Sequence, residues 1–511
     1  MLANVKSVSV YGIEGYLVEV EIYVAKGEMP STIIVGLPDT AVKESRDRVK
    51  AALNNSGYQF PGKNVIINLA PADRKKEGPV FELPIAVGIL AATSQLEIPD
   101  LSEYAIVGEL SLDGKVRSVK GCLPMALKCR EQGIKKMLLP SENAPEAAVV
   151  EGLDVLPVET LEQAVGILTK SILPEKYRIE PDEVFQKYSE YEVDFAEIKG
   201  QEHAKRALTV AAAGNHNVIL IGPPGAGKTM LVQRIPTIMP RLSLEEALET
   251  TKIYSVLGLL DAKKSLIATR PFRAPHHTIS TAGLIGGGSI PRAGEISLSH
   301  NGVLFLDELP EFDRKTLEVL RQPLETGNVT ISRAMNSVTY PARFMLVCAM
   351  NPCPCGYYTD RIKECRCTSY QIQNYSSKVS GPLMDRIDIQ LEIPAVSYKE
   401  LVSDTEGYSS EVLREKTVLA REIQNERFKD QTIEVNAHMT SKQIKEYCVL
   451  DRQAELLLYQ AMAELGISAR GHSKILKVAR TIADMEESGC IKVEHVSEAI
   501  QYRSMDRGLQ K

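Results

Sequence analysis

The sequence lacks the marks of several classes of protein. Tryptophan is absent and aromatic residues make up only 5% of the 511 residues, which by itself carries no functional meaning. No stretch of about 18 apolar residues occurs, so we expect no membrane-spanning helix and no membrane partner. The first residues show no basic segment followed by an apolar core, so we expect no signal peptide and a cytoplasmic location. The chain carries 60 basic and 66 acidic side chains, a net charge of −6, so any contact with nucleic acid must come from local basic surfaces.

The remaining composition is typical of a folded protein with full cores. Hydrophobic residues make up 44% and charged residues 25% of the chain. At roughly 100–200 residues per domain, the length predicts about three domains. Strands alternate with helices over most of the chain, which favours an α/β fold with a parallel sheet, whereas the last part is almost wholly helical. We predict an N-terminal α+β domain over residues 1–170, a linker over 171–195, a parallel-sheet core over 196–395 and a helical lid over 396–511.

The strongest motif is a glycine-rich loop that fits the pattern G-x-x-x-x-G-K-[ST]. An apolar strand precedes the loop and a helix follows it, which is the context that such a loop requires. Its backbone N–H groups would face the β-phosphate, Lys228 would reach the β- and γ-phosphates, and the Thr229 hydroxyl would hold Mg²⁺. The sequence therefore predicts a site for ATP and Mg²⁺. The residues of this loop are Gly222, Pro223, Pro224, Gly225, Ala226, Gly227, Lys228 and Thr229.

Polar side chains close two further apolar strands. Asp307 and Glu308 follow the segment Val303–Leu306, and Asn351 follows the segment Phe344–Met350. Asp307 would order Mg²⁺ through water, and Glu308 would activate the attacking water as a general base. Asn351 could orient that water. The alternatives are a surface acidic pair at a strand end and a turn asparagine before a proline.

Two arginines are candidates for contact with the γ-phosphate. Arg386 could neutralise charge in the transition state as an arginine finger does. It could instead pair with Asp385 or Asp388, and the residues alone leave both open. Arg470 stands at the start of a lid helix, where residues 468–480 hold four Lys or Arg and no acidic residue. It could touch the γ-phosphate from the lid or lie on a solvated basic helix face.

Four of the nine cysteines form two C-x-C pairs separated by nine residues: Cys353, Cys355, Cys365 and Cys367. Four thiolates satisfy the tetrahedral coordination of Zn²⁺, although a C-x₂-C spacing is more usual. The alternative is four reduced cysteines in a loop, because disulfides are rare in cytosolic proteins. We predict a structural zinc ion that pins the loop between Asn351 and the segment that carries Arg386.

Together and in this order, the segments GPPGAGKT, LFLDE, AMNP, SGPLMDRID and SARGHSKILKVAR resemble the motifs of AAA+ ATPases of the magnesium-chelatase-like branch. The segments NPCPCG and RAPHHTIS extend the resemblance, over nearly the whole chain, to the bacterial ComM/YifB group. The resemblance implies an AAA+ core, with Arg386 as the arginine finger of a neighbouring subunit and Arg470 as a second lid sensor. It also implies a homo-hexameric, nucleotide-dependent ring and a DNA helicase that drives branch migration during uptake of transforming DNA.

Residues 1–170 are similar to the domain shared by Lon proteases and the second domain of ribosomal protein S5, as the segments KEGP and LDGKV indicate. A Lon-type mechanism needs a serine directly after Gly-Pro and a lysine on the later helix. Val80 stands after Gly-Pro in this chain, and no lysine occurs between Gly121 and Lys128. We therefore predict a catalytically dead domain that serves as a platform for DNA or partner contacts.

Residues 262–302 carry five Lys or Arg, one Glu and three His, and a hairpin pattern follows at 329–340. Mobile basic loops of this kind could grip phosphates in a central channel. The alternative is that these arginines and histidines hold a fold-specific network, and a metal site at the two adjacent histidines is a weaker alternative. The candidates for contact with DNA are Arg273, His276, His277, Arg292 and Arg333.

These inferences lead to an ATP-hydrolysing ring motor that acts on single-stranded or branched DNA, a branch-migration helicase. The first alternative is a chelatase-type remodelling ATPase that acts on a protein or metal-insertion partner. The second alternative is a nucleotide-gated scaffold that hydrolyses ATP only slowly.

Overall fold

A computed structural model describes residues 2–25, 30–180, 184–185, 188–261, 265–288, 291–332, 337–358, 360, 363–395, 407–431 and 433–503. The chain forms two compact units. The first comprises residues 1–188 and 244–268, and the second comprises 189–243 and 269–511. The sequence had suggested that residues 244–268 belong to the ATPase core, whereas the structure groups them with the N-terminal unit. It also groups the predicted core and the predicted lid in one unit.

The strands and helices are numbered in chain order. The strands of the first unit are β1 (Leu2–Tyr11), β2 (Glu14–Ala25), β3 (Thr32–Val35), β4 (Asn64–Ala70), β5 (Tyr104–Ile106), β6 (Glu109–Leu110), β7 (Val116–Arg117), β8 (Lys136–Pro140) and β9 (Asp154–Val158). Those of the second unit are β10 (Val218–Ile221), β11 (Phe272–Arg273), β12 (Gly286–Gly287), β13 (Arg292–Ala293), β14 (Val303–Leu306), β15 (Asn328–Ser332), β16 (Ser337–Pro341), β17 (Met345–Met350) and β18 (Ile389–Glu392). The helices are α1 (Thr40–Asn55), α2 (Glu82–Ala92), α3 (Cys122–Glu131), α4 (Ala144–Ala147), α5 (Leu161–Leu168), α6 (Glu202–Gly214), α7 (Lys228–Gln233), α8 (Ile235–Ile238), α9 (Leu244–Leu257), α10 (Thr281–Ile285), α11 (Glu295–Leu298), α12 (Arg314–Glu318), α13 (Arg321–Thr326), α14 (Ser369–Ser377), α15 (Gly381–Met384), α16 (Ser410–Arg427), α17 (Ser441–Tyr447), α18 (Arg452–Leu465), α19 (Ala469–Met485) and α20 (Val493–Gln501).

The first unit is built on a seven-stranded mixed sheet with the order β3-β4-β2-β1-β5-β8-β9. Strands β1, β2 and β4 pair antiparallel, whereas β3, β5, β8 and β9 join in parallel. Alternate residues of β2, such as Val18, Val20 and Ile22, are fully buried, which is the two-residue period of a strand with one covered face. Helix α2 is apolar on all sides and almost wholly buried, so it forms the centre of this core.

Helix α9 belongs to the first unit although its sequence follows the phosphate-binding motif. The backbone N–H of Gly121 donates to the carbonyl of Ser255 at 3.1 Å, next to the start of α3. The Ser255 hydroxyl and the backbone N–H of Leu123, the latter at 2.7 Å, both donate to the buried carboxyl group of Glu146. Burial raises the pKa of Glu146, and these donors oppose that shift. The segment from 244 to 257 therefore supplies a partner that this buried carboxyl group needs.

The second unit is built on a five-stranded parallel sheet with the order β11-β14-β17-β10-β18. Its central strands β10, β14 and β17 are short and fully buried, as their continuous apolar sequences predict for a sheet covered on both faces. Because the three are neighbours and parallel, their carboxyl ends meet at one edge, where open α/β sheets bind ligands. The phosphate loop, Asp307–Glu308 and Asn351 follow these three ends.

The predicted helices after residue 396 are confirmed as α16 to α20. They share one apolar core with the sheet, since buried residues such as Ala420 and Ile482 lie in the same cluster as Val218 and Val347. No helix among the described residues is long and apolar enough to span a membrane.

Candidate active site

The phosphate loop connects β10 to α7. Gly227 precedes α7 with a φ of +80°, a left-handed conformation that glycine adopts without strain. The ammonium group of Lys228 donates to the carbonyls of Gly222 at 2.6 Å and Pro223 at 3.0 Å, and to Asn351 Oδ1 at 3.1 Å. Burial lowers the pKa of Lys228. The cation is thus held by neutral acceptors, and an anionic phosphate would be a stronger partner for it.

The structure brings Thr229 and Asp307 together. The Thr229 hydroxyl donates to Asp307 Oδ2 at 2.9 Å, and the backbone N–H of Glu308 donates to Asp307 Oδ1 at 2.9 Å. A hydroxyl and a carboxylate are oxygen ligands of the kind that Mg²⁺ takes beside nucleotide phosphates. The donor set therefore fits the Mg²⁺ and ATP that the sequence predicts.

Glu308 lies at the end of β14 with a φ of +53°, a left-handed backbone conformation that is uncommon outside glycine. Its side chain is 59% exposed, and its Oε2 lies 3.2 Å from Nδ1 of His277. A cavity of about 460 Å³ opens beside it, lined by Glu308, Glu311, Asn351, Pro354, Gln371, Asn374, Tyr375 and Lys378. The carboxylate therefore faces solvent-filled space in which a water molecule can reach it.

Three supporting contacts were not predicted from the sequence. Gln201 donates from Nε2 to the carbonyl of Ala226 at 2.7 Å and so braces the phosphate loop. The backbone N–H of Asn351 donates to the hydroxyl of Tyr375, whose pKa burial raises to about 12. The third is the contact between His277 and Glu308. Each joins residues far apart in the chain, and no local pattern in the sequence marks them.

Each of the two candidate arginines forms an ion pair with an acidic side chain of the same chain. Arg386 pairs with Glu325 and donates to the carbonyl of Pro382 at 2.6 Å, so the suggested pairing with Asp385 or Asp388 is wrong. Arg470, whose side chain is 73% exposed, pairs with Asp385.

Asp388 instead contacts buried groups that stabilise the turn carrying Arg386. It lies 3.3 Å from Nδ1 of His216 and 3.9 Å from Nζ of Lys474. Burial alone would raise the pKa of Asp388, but the His216 hydrogen bond and the positive charge of Lys474 lower it to about 2. The side-chain amide of Asn217 also donates to the backbone carbonyl of Arg386 at 2.9 Å. These buried contacts fix the backbone at Arg386, whose own side chain is 18% exposed.

The four clustered cysteines converge. Their sulfur atoms all lie within 4.8 Å of one another, and three of the separations are 3.3, 3.7 and 3.6 Å. A tetrahedral zinc ion with Zn–S bonds of about 2.3 Å requires S···S separations of about 3.8 Å. Backbone N–H groups of Tyr357 and Arg366 donate to Cys355 and lower its pKa to about 6. The cluster is thus a group of side chains that could hold one metal ion.

The candidates for DNA contact differ in their surroundings. Arg273 makes two bonds to Glu295, at 2.6 and 2.8 Å, which favours the fold-specific alternative for this residue. His277 packs against His276, with ring centroids 4.1 Å apart, and His276 is exposed. Arg292 is exposed on β13, whereas Arg333 lies outside the described residues. Strands β15 and β16 form the predicted hairpin next to Arg333.

The phosphate loop, the paired carboxylates and the strand-end asparagine on a five-stranded parallel sheet define an AAA+ ATPase. A family model described as magnesium chelatase, subunit ChlI, matches residues 194–401, and a model of the ChlI C-terminal region matches 407–503. A third, described as subunit ChlI of Mg-chelatase, matches residues 19–143.

Full-length relatives define the family more closely. The chain is 43% identical to the Escherichia coli protein YifB, with 99% of this chain and 98% of that one aligned. It is also 43% identical to the competence protein ComM of Haemophilus influenzae, with 100% and 99% aligned. Part of the chain is 25% identical to Lon protease 2 of Bacillus subtilis, over 32% of each protein. The chain belongs to the ComM/YifB family of magnesium-chelatase-like AAA+ ATPases.

Proposed function

We propose that this protein is an ATP-driven ring motor that acts on single-stranded or branched DNA as a branch-migration helicase in the recombination of transforming DNA. The observation that carries the proposal is full-length similarity to a competence protein, combined with a complete set of ATPase side chains at one sheet edge. A competence function concerns incoming DNA, and an ATPase that acts on such DNA fits it.

Within the proposed ATPase cycle, Lys228 binds the β- and γ-phosphates, and Thr229 and Asp307 would hold Mg²⁺. A metal ion held there would supply charge neutralisation at the phosphate oxygens. Glu308 takes a proton from the attacking water, and Asn351 orients that water. The Lys228 contacts with neutral carbonyls give way to contacts with the phosphates when nucleotide binds. These roles stay predictions until variants test them.

We further propose a homo-hexameric, nucleotide-dependent ring in which Arg386 and Arg470 reach γ-phosphates. Neither arginine bonds to the phosphate loop of its own subunit among the described contacts. A role at a neighbouring subunit's nucleotide is consistent with that arrangement, and it requires Arg386, whose side chain is 18% exposed, to leave Glu325.

The other parts of the chain receive proposed roles as well. The N-terminal unit serves as a platform for DNA or partners and has no peptidase activity, since buried Val80 stands at the place of a Lon nucleophile. The cysteine cluster holds one structural zinc ion, as its sulfur geometry supports. Exposed Arg292 and His276, together with Arg333, contact DNA. The cytoplasm is the proposed location.

ATP turnover by the purified protein tests this proposal, first without DNA and then with single-stranded, duplex and four-way-junction DNA. Glu308→Gln serves as the inactive control. We expect turnover to rise with DNA, most with branched or single-stranded forms, and a branch-migration assay should then show junction movement that requires ATP. Turnover that no DNA changes would contradict a DNA motor. An unchanged rate in Glu308→Gln would contradict the assignment of the general base.

A chelatase-type remodelling ATPase is the second candidate, and the match to three models of a magnesium chelatase subunit favours it. In that case a protein partner, rather than DNA, should stimulate turnover. Stimulation by a partner recovered with the protein, together with indifference to every DNA, would decide for this candidate.

A further inference from the structure

The turn that carries the first two clustered thiols touches the phosphate loop. Gly356 follows Cys355, and its backbone N–H donates to the carbonyl of Cys353 at 2.9 Å. A Cβ atom added to Gly356 would lie 2.6 Å from Cδ and 3.2 Å from Cγ of Pro224. The backbone of Gly356 is therefore in direct contact with the ring of Pro224, which is the third residue of the phosphate loop.

The other end of the same loop supports Asn351. The loop (residues 352–368, termed the cysteine loop) ends at Thr368, whose side chain and that of Gln371 form a capping box at the start of α14. Tyr375 on α14 accepts a hydrogen bond from the backbone N–H of Asn351. The Asn351 side chain in turn accepts from Lys228 at 3.1 Å. The cysteine loop thus lies between two supports of the nucleotide site, Pro224 and Asn351.

Few apolar contacts hold the cysteine loop in this shape. Among its described residues only Cys353 and Gly356 are buried, and the others are half-buried or exposed. A loop of this length without a core pays conformational entropy to stay closed. A metal ion bound by four thiolates offsets that cost. The unfolded loop holds no preformed site, so the free energy of metal binding stabilises the folded loop.

We propose that the metal-filled cysteine cluster is a brace for the phosphate loop, so that occupancy of the cluster by a thiophilic divalent cation such as Zn²⁺ sets the affinity for nucleotide. This inference rests on the proposed function, because the supported site is that of the proposed ATPase. Without metal, the turn around Gly356 no longer presses on Pro224, and the loop N–H groups lose their fixed orientation. By reciprocity, bound nucleotide strengthens metal binding by the same factor.

The experiment measures bound zinc and the Kd for mant-ATP with Mg²⁺ on the full-length protein. Cys355→Ser removes one thiol and should lose the metal and raise Kd by about tenfold, within the usual range for coupled sites. Gly356→Ala keeps all four thiols but pushes a methyl group onto Pro224 and, at a φ of +86°, strains the turn beside Cys355. Its zinc content is measured on the same sample, and we expect it to keep the metal and still raise Kd. Cys490→Ser, a half-buried cysteine outside the cluster, should change neither.

A reversible test covers the case in which Cys355→Ser fails to fold. Zinc is withdrawn from the wild-type protein with a chelator and then restored, and Kd should rise and return. Bound mant-ATP should also slow the release of zinc to the chelator. A wild-type protein that holds no metal, or a Kd that stays constant on removal of the metal, would overturn the brace. Nucleotide binding is measured without DNA, so the two proposals are tested separately. If Kd depends on the metal but DNA does not stimulate turnover, only the proposed DNA function is rejected.

Discussion

Substitution of Asn351 by alanine tests the proposed role of its side-chain amide in positioning the attacking water. The backbone at this residue is fixed independently, by β17 on one side and by the Tyr375 hydroxyl on the other, so the variant should lose the amide group and little else. A single positioned polar group at a reaction centre is worth about 100-fold in kcat, or about 2.7 kcal/mol of barrier. We therefore expect kcat to fall about 100-fold while the Kd for nucleotide changes little, because Lys228 keeps its charge and gains phosphate partners.

Steady-state ATP turnover gives kcat, and mant-ATP titration gives Kd, for wild type and Asn351→Ala. Asn374→Ala is the matched control, because Asn374 lines the same cavity but does not contact Lys228. Its kcat should stay near that of wild type. If Asn351→Ala raised Kd and left kcat unchanged, the residue would act only as a ground-state anchor for Lys228, and the reasoning about the water would be refuted.

Three further predictions concern the ring, the lid and DNA. Neither Lys228→Ala nor Arg386→Ala subunits should turn over ATP alone, but mixed rings should recover up to about a quarter of wild-type turnover. In an equal mixture, one interface in four joins a subunit with an intact phosphate loop to a neighbour with an intact Arg386. No recovery at any mixing ratio would contradict a role of Arg386 in trans. Asp484→Ala removes a fully buried carboxylate that accepts from two arginines and an asparagine. We expect a loss of about 3–5 kcal/mol and a lower midpoint by roughly 10 °C in thermal denaturation, and an unchanged midpoint would show that the network contributes no stability. Arg292→Ala should reduce the salt dependence of DNA affinity by about one unit of log–log slope, whereas Arg273→Ala, which breaks the pair with Glu295, should leave the slope unchanged; equal slopes in Arg292→Ala and wild type would remove Arg292 from the interface.

Local patterns were sufficient for the parts of the site that are contiguous in the sequence. The phosphate loop follows from its glycines, its lysine and the flanking apolar strand. Asp307 and Asn351 could be placed beside it because parallel strands bring their carboxyl ends to one edge. The helical character of the lid also followed from its sequence, and the structure has five helices there, α16 to α20, among the described residues.

The sequence did not predict which distant residues a helix or a side chain contacts in the fold. Helix α9 buries mostly small residues, such as Thr250, Thr251 and Ser255. Its sequence therefore does not say whether it packs on the parallel sheet or on α3. The same holds for His277: its sequence neighbours suggested a basic loop, whereas the fold brings its ring next to the carboxylate of Glu308. In both cases many faces of the protein could accept the element, and only the complete packing selects one.

Arg386 is the clearest example, and its contact bears on the proposed ring. The sequence offered two aspartates within two residues, yet the guanidinium group pairs with Glu325, 61 positions away. The Glu325 side chain is 60% exposed but that of Arg386 is only 18% exposed, so the pair is partly buried and a hydrogen bond between charged groups of this kind is worth about 1.5–3 kcal/mol. Breaking it therefore costs less than the 10³- to 10⁵-fold acceleration, about 4–7 kcal/mol, that an arginine finger supplies in a transition state. The pairing with Glu325 is thus compatible with a role of Arg386 at a neighbouring nucleotide.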